Sequence, residues 1–237
     1  MNAHQNAATQ IIDLGLIDYQ KAWDYQAELF ASILAVKKAY RDLPQAEQKP
    51  TTNYLLFCEH PPVVTLGKSG QDSNLLVSKE ELSSLGATFV QTNRGGDITF
   101  HGPGQLVVYP ILDLENFFTD ISRYMRSLEE AVIMTLQAYD ITATRIEGLT
   151  GVWITQGHPR KICAMGVKSS RWVTMHGLAL NVNVDLKFFD LIVPCGIADK
   201  KVTSMKNEAG KEFPMNHVKN ELKKNLVNVF QLHITQE

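Results

Sequence analysis

The sequence predicts an α+β fold: one mixed or antiparallel sheet flanked by helices. Two observations carry this. Strand-like segments cluster in the centre of the 237-residue chain, and helical stretches are interspersed among them without regular βαβ alternation. A hydrophobic content of 44% suffices for one large core, and no repeat, linker or low-complexity stretch divides it. Residues 1–10 read as a polar tail and 11–237 as a single domain.

The elements follow in order. Ala22, Leu29, Ile33 and Tyr40 form a stripe that predicts a helix over Tyr19–Arg41, with Asp18 as N-cap and Pro44 beyond its end. Strands are expected at Asn53–Glu59 and, after the Pro61-Pro62 break, at Val63–Leu66. Ser78-Lys79-Glu80-Glu81 reads as a capping box opening a short helix that Gly86 ends. Ala87–Gln91 and Gln105–Leu112 read as strands. Ile121, Leu128, Val132 and Leu136 predict a helix over Asp120–Tyr139. Strands are then expected near Gly151–Thr155, Lys161–Val167 and Gly177–Val184. Val218, Leu222 and Leu226 place a last helix at Met215–Phe230.

Composition narrows the function classes. No apolar run approaches the ~20 residues that span a bilayer, and Met1–Gln10 lacks the basic and apolar blocks of a signal peptide. Three cysteines are too sparse for a disulfide framework, which points to a reducing cytoplasm. There is no CxxC, HExxH or Cys/His cluster, so no metal is expected. The net charge of −2 hides an asymmetry. Arg160–Lys206 holds eight basic and three acidic residues, a net +5, against −7 for the remainder. This segment is either a solvated positive face or the approach of an anionic partner. Nucleic acid is not expected, because the pI is near 6.4 and no basic run is long.

Three segments carry chemistry. Cys195 sits in Pro194-Cys195-Gly196, where proline fixes φ on one side and glycine frees it on the other. Such a thiol is either a small buried hydrophobe or, beside a cation, a nucleophile. In Arg160–Gly166, strand alternation puts Lys161, Cys163 and Met165 on one face. Lys161 then either reaches the sheet rim or faces Cys195 and lowers its pKa. The segment Arg94-Gly95-Gly96-Asp97-Ile98-Thr99-Phe100-His101 reads as tight strand connections, or as a cradle in which backbone amides approach a ligand and Arg94 anchors an anion. It is no dinucleotide fingerprint, and Leu66-Gly67-Lys68-Ser69 is no phosphate loop, since Pro62 stands where the upstream glycine is required. His176 reads as structural; His101 ranks higher as a site residue because of its glycine-rich setting.

These blocks, Arg94–Gln105, Arg160–Val184 and Ile192–Ile197, together with the opening Asp13–Tyr19, resemble the lipoyl(octanoyl) transferases, the lipoate biosynthesis protein B family, over about Ile11–Phe230. The resemblance implies the fold of the lipoate and biotin protein ligase catalytic modules. It also implies transfer of an octanoyl group from acyl carrier protein to a lysine of lipoyl domains, those of 2-oxoacid dehydrogenases and the glycine cleavage H protein. The family's thioester nucleophile falls on Cys195 and its pKa-lowering lysine on Lys161. Its substrate-cradling segments fall on Arg94 to His101, on Ala164, Met165 and Gly166, and on Gly177, Leu178 and Ala179. A stored thioester needs no ATP, metal or other cofactor. A cytoplasmic enzyme is expected, a monomer with no nucleic-acid or membrane partner. Cys163 stands where the family commonly has alanine, and it and Cys58 are expected to pack. Two alternatives remain: an ATP-dependent lipoate or biotin ligase on the same fold, and a non-catalytic carrier-binding module in which Cys195 merely packs.

Overall fold

Pro61 and Pro62 have no N–H to give to a ladder, and the chain changes sheet at them. The computed structural model describes residues 6–43, 47, 49–193 and 201–235. Before the prolines, β2 (Asn53–Glu59) runs through a large sheet; after them, β3 (Val63–Leu66) is the middle of a small one. Among the described residues the large sheet has eight strands. They are β1 (Ala8–Leu16), β2, β6 (Gln105–Ile111), β7 (Val152–Ile154), β8 (Arg160–Ser170), β9 (Val173–Asn181), β10 (Lys201–Val202) and β11 (His233–Ile234). Their order is β10-β8-β9-β6-β2-β1-β11, with β7 also paired to β8. β1 runs parallel to β2 and β11, and β10 parallel to β8; the other pairs are antiparallel. The small sheet has the order β4-β3-β5, with β4 (Thr88–Gln91) parallel and β5 (Ile98–His101) antiparallel to β3.

Helices form where caps and apolar stripes coincide. Asp18 accepts from the Lys21 amide at the start of α1 (Tyr19–Tyr40), Ser78 from the Glu81 amide at α2 (Lys79–Ser84), and Asp120 from the Arg123 amide at α3 (Ile121–Gln137). Gly86 takes φ +77° just past α2. α4 (Met205–Ala209) and α5 (Met215–Phe230) complete the set.

The two-residue period of the strands sorts the core into layers. Leu55, Phe57, Leu106, Val108, Leu178 and Leu180 face Leu128, Val132 and Leu136 of α3 and Leu222 and Leu226 of α5. On the opposite face, Leu56, Cys58, Val107, Tyr109, Val173 and Met175 pack under Ala22, Phe30 and Ile33 of α1. A third cluster joins Val64, Leu66, Ile98 and Phe100 of the small sheet to Leu82 of α2 and to Phe189.

Most expected elements are present within two or three residues of their anticipated ends, apart from the last expected strand, which begins four residues earlier and ends at Asn181 rather than Val184. The differences have physical causes. The expected single sheet is two sheets, because the diproline redirects the chain. A strand begins at Ala8, inside the stretch read as a tail, since Ile11 and Ile12 pack against the two faces of the sheet. β5 lies within the glycine-rich segment read as connections: Ile98 and Phe100 are an alternating buried pair whose signal the surrounding glycines mask. β9 starts at Val173, four residues before the expected strand, and β8 runs on to Ser170, so the two form a hairpin. Pro44, expected to follow α1, lies outside the described residues.

Gly177 is the tightest point of the large sheet. A Cβ built there lies 2.1 Å from the Val108 carbonyl oxygen of β6 and 2.7 Å from Pro110 Cδ. Gly177→Ala is expected to cost about 2–3 kcal/mol of overpacking strain, read as a lower midpoint in urea unfolding; an unchanged midpoint would refute this.

Candidate active site

A cavity of about 500 Å³ opens where α1 stops covering the large sheet. Its floor is the middle of β8 and β9, with Lys161, Ala164, Met165, Gly166, Gly177, Leu178 and Ala179 on its lining. One wall is the segment carrying Arg94, Gly95, Gly96, Asp97, Ile98, Thr99 and His101. Tyr19, Val107, Tyr109, Met125, Thr150, His176, Asn181, Phe189 and Val202 close it. Every described candidate from the sequence borders this space except Phe100. That ring is 1% exposed and stacks on Phe188 at 4.6 Å in the core of the small sheet. Tyr19, Val107, Tyr109 and Asn181 were not anticipated. In sequence Tyr19 reads as a helix start and Tyr109 as one residue of a strand, and folding brings them to the cavity.

A β-bulge sets the position of Lys161. β7 pairs Val152 with Cys163 but Trp153 with Lys161, so one step on β7 spans two on β8 and Ile162 is the extra residue. Opposed residues share a face, so Cys163 joins the α3 layer with Val152 while Lys161 turns to the other side with Trp153. The expectation that Lys161 and Cys163 share a face is therefore corrected. Plain alternation holds only without the bulge. Lys161 Nζ lies 4.7 Å from the centroid of the Trp153 ring, a cation–π geometry. Its stem is walled by Gly151 (φ +104°), where a Cβ would sit 2.5 Å from the Cys163 carbonyl oxygen and 3.5 Å from Lys161 Cε. The Gly151 amide is in turn held at 3.0 Å by Glu129, a fully buried carboxylate that also pairs with Arg126 (2.8 Å) and Arg145 (3.1 Å). On the other side, the Thr203 amide donates to the Lys161 carbonyl at 2.9 Å, and Arg160 and Thr203 both bond Glu208.

That last pairing revises the charge reading. Arg160 is neutralised by Glu208 and Lys206 by Glu212, two acids just beyond the basic stretch. The local positive field is smaller than the residue count implies.

The glycine-rich wall is held by its own side chains. Arg94 is 7% exposed; its Nη2 donates to the Thr65 carbonyl (2.8 Å) and hydroxyl (2.9 Å), and its Nη1 to the Gly95 carbonyl (3.1 Å). Asp97 accepts from Asn74 Nδ2 at both oxygens and from the Ile98 amide. These two charges fix the loop itself. The Gly95 amide donates to Val167 on β8, and a Cβ on Gly166 would lie 2.6 Å from the Gly95 carbonyl oxygen, so the wall rests directly on the strand.

Behind it, three histidines are kept neutral. His101 donates from Nδ1 to Gln105 (2.7 Å) and accepts at Nε2 from Thr65 (3.3 Å). His176, on a left-handed residue (φ +59°), donates from Nε2 to Asn93 (2.8 Å). Burial pushes both imidazoles down to about 3, with neighbouring charge from Arg94 adding to it. His60 donates to the Ile17 carbonyl and accepts from the Tyr109 hydroxyl at 2.7 Å, and burial lowers its pKa also. Tyr19, stacked on His101 at 5.7 Å, is pushed up to about 12 by burial.

Cys195 lies outside the described residues. Its segment leaves the described fold at Val193, whose amide bonds the Asn74 carbonyl, and returns at Lys201-Val202 on β8 beside Lys161. The other two cysteines are buried, and burial pushes both thiols up.

A layered sheet with helices on both faces, and a lysine beside a glycine-walled and largely apolar cavity, define an α+β module with a pocket suited to an apolar group. The sequence model of the lipoyl protein ligase A/B catalytic domain matches residues 18–227, so the chain belongs to that family. The octanoyltransferase of Cytophaga hutchinsonii is 57% identical over 237 residues, covering 99% of this chain and 97% of that protein. The octanoyltransferase of Flavobacterium psychrophilum is 60% identical over 209 residues, covering 87% and 89%. In fold, the chain is similar to a bipartite lipoate protein ligase from Thermoplasma acidophilum, with a TM-score of 0.72 at 18% identity over 97% of this chain and 86% of that one.

Because the folded pKa values of His101 and His176 lie below the unfolded value near 6.5, these groups stabilise the fold fully above about pH 6.5. That contribution is lost as pH falls toward 3. Imidazole resonances of both are expected not to titrate between pH 8 and 5 in the folded protein; a midpoint near 6.5 for either contradicts the burial argument.

Proposed function

We infer that the chain acts, as its relatives are named, as an octanoyltransferase of lipoate biosynthesis, and propose that it works through a thioester on Cys195. It is an acyltransferase. The observation that carries the mechanism is a lysine turned by a bulge out of the core and into an apolar cavity walled by glycines. Val202, a few residues after Cys195, lines the same cavity.

The chemistry balances with Lys161 and Cys195 alone. The Cys195 thiolate attacks the thioester carbonyl of octanoyl-acyl carrier protein; a new sulfur–acyl bond forms and the carrier's breaks. The released carrier thiolate takes a proton from the Lys161 ammonium. A neutral acceptor amine then attacks the acyl-enzyme and its nitrogen–acyl bond forms. Cys195 leaves as thiolate, and neutral Lys161 takes the surplus proton from nitrogen. Both groups end as they began. Exchange between two sulfurs is close to thermoneutral, and the amide product draws the second half forward, so no ATP enters. The acceptors are lipoyl domains, those of 2-oxoacid dehydrogenases and the glycine cleavage H protein, met by a monomer in the cytoplasm. No described helix is long and apolar enough to cross a membrane.

Incubation with octanoyl-acyl carrier protein, without ATP, is expected to add one octanoyl group by intact-mass spectrometry, and Cys195→Ser to add none. An adduct that survives this substitution, or turnover that requires ATP, would overturn the mechanism. Lys161→Ala is expected to slow both half-reactions in single turnover by about a hundredfold or more while the melting temperature holds. An unchanged rate removes Lys161 from the mechanism. Iodoacetamide near neutral pH is expected to label Cys195 alone, since Cys58 and Cys163 are buried.

A further inference from the structure

Strands β8 and β9 stay paired up to Ser170↔Val173, so the hairpin turns on two residues, Arg171 and Trp172. Both lie in the left-handed region, with φ +49° and +65°. A two-residue hairpin loop asks for positive φ at both positions, and Asn-Gly is the pair that meets this with least strain. Arginine and tryptophan each carry a Cβ that resists it. The turn is held all the same: the Trp172 carbonyl accepts from the Leu114 amide at 2.8 Å, and Val173 bridges to Asp113. The local fold fixes the geometry of the turn without calling for these two side chains.

The side chains themselves face outward. Trp172 is 37% exposed and belongs to none of the three core clusters. Arg171 is exposed, and no acid among the described residues pairs with it. Lys168, three residues back on β8, lies over the Phe30 ring at 5.3 Å and likewise has no acid partner among the described residues. The two acids of the adjoining turn, Asp113 and Glu115, are both taken by Lys37. Tryptophan and arginine are the side chains that most often anchor protein interfaces, and unpaired cations beside them select an acidic surface.

The tip stands on the same strands that floor the cavity. Val167 is the last residue of β8 to border that space, and four steps of strand separate it from Arg171, about 13 Å. An acceptor lysine must itself reach the acyl group, and its side chain is shorter than this distance, so its protein has to sit at the cavity. A carrier protein presents its thioester on a prosthetic arm several times longer than a lysine side chain and can dock at a distance. We propose that the Arg171–Trp172 tip is the docking point for the acidic protein that carries the thioester, the acyl carrier protein of the reaction inferred above. The assignment rests on the acyltransfer reading and adds to it the surface that recognises the donor.

The test is the affinity of octanoyl-acyl carrier protein for the Cys195→Ser enzyme, by titration calorimetry, with and without Arg171→Glu or the double change Arg171→Asn/Trp172→Gly. Arg171→Glu is expected to weaken binding about tenfold at about 50 mM salt and less than about threefold at ten times that concentration. The double change is expected to weaken binding about tenfold or more while raising the melting temperature by about 2–4 °C, because Asn-Gly suits the turn. A merely structural tip would move both in the same direction. With Cys195 retained, single-turnover transfer from octanoyl-pantetheine, which has the arm and no protein, is expected to stay within about twofold of wild type. Unchanged carrier affinity, or a loss confined to the lipoyl-domain acceptor, overturns the docking point and leaves the acyltransfer reading standing. Carrier binding that depends on the tip, with no transfer from any thioester, overturns that reading and leaves the docking point. Should the double variant fail to fold, Arg171→Glu, an exposed change that leaves the turn intact, decides the matter alone.

Discussion

The pairing of β8 with β9 is the constraint on which the site depends. Eight successive residue pairs, Cys163↔Leu180 to Ser170↔Val173, lock these strands antiparallel. Their shared register fixes which residues look into the cavity. The bulge at Ile162 lies just before this ladder: the edge of β8 away from β7 is held by β9 from Cys163 onward and by β10 at Arg160 and Lys161, so the extra residue is absorbed on the β7 edge, and the chain on either side of it presents opposite faces. Lys161 reaches the cavity by that route, and Cys163 reaches the core. The close contacts at Gly166 and Gly177 follow from the same ladder. Each is a place where backbone from another element touches the sheet and a side chain has no room.

Around this ladder, polar groups are spent on holding the walls. Arg94 and Asp97 look like ligand-binding charges in sequence, yet Arg94 bonds Thr65 and the Gly95 carbonyl, and Asp97 bonds Asn74 and the Ile98 amide. Glu129 pins the Gly151 turn, and Glu208 pins the strand that returns beside Lys161. A buried carboxylate such as Glu129 is costly to hold in place unless paired and hydrogen-bonded, and Glu129 is both; the half-buried Glu208 is paired with Arg160 and bonded by Thr203. Rigidity obtained in this way fixes the backbone on both sides of Lys161.

Much of this was legible in the sequence and the remainder was not, for definite reasons. Helices α1, α3 and α5 and strands β2 and β3 were anticipated to within two residues, because caps, apolar stripes and the diproline are local signals. The strand pair β8–β9 was located but cut short, since Lys168, Ser169 and Ser170 are too polar to read as strand. β1 and β5 were missed, one hidden in a supposed tail and the other among glycines. The cavity candidates were legible largely through resemblance, and all but Phe100 among the described ones meet there. Tyr19 and Tyr109 were not, because a residue that becomes a wall through contacts distant in sequence, as Tyr19 does with His101 and Tyr109 with His60, leaves no local mark. The face of Lys161 was misread because a bulge cannot be counted from one strand alone.

The neutral histidines bear on chemical fidelity. An imidazole that loses its proton near pH 3 is a base more than a thousandfold weaker than an ordinary one. It is therefore a poor activator of water. His101 and His176 border the space where an acyl group would wait, yet neither is suited to turn a neighbouring water into a nucleophile. Burial, usually discussed as a matter of stability, would on the mechanism proposed above act as protection: an energy-rich thioester held there would meet histidines that have been disarmed, and its hydrolysis would lose two obvious catalysts.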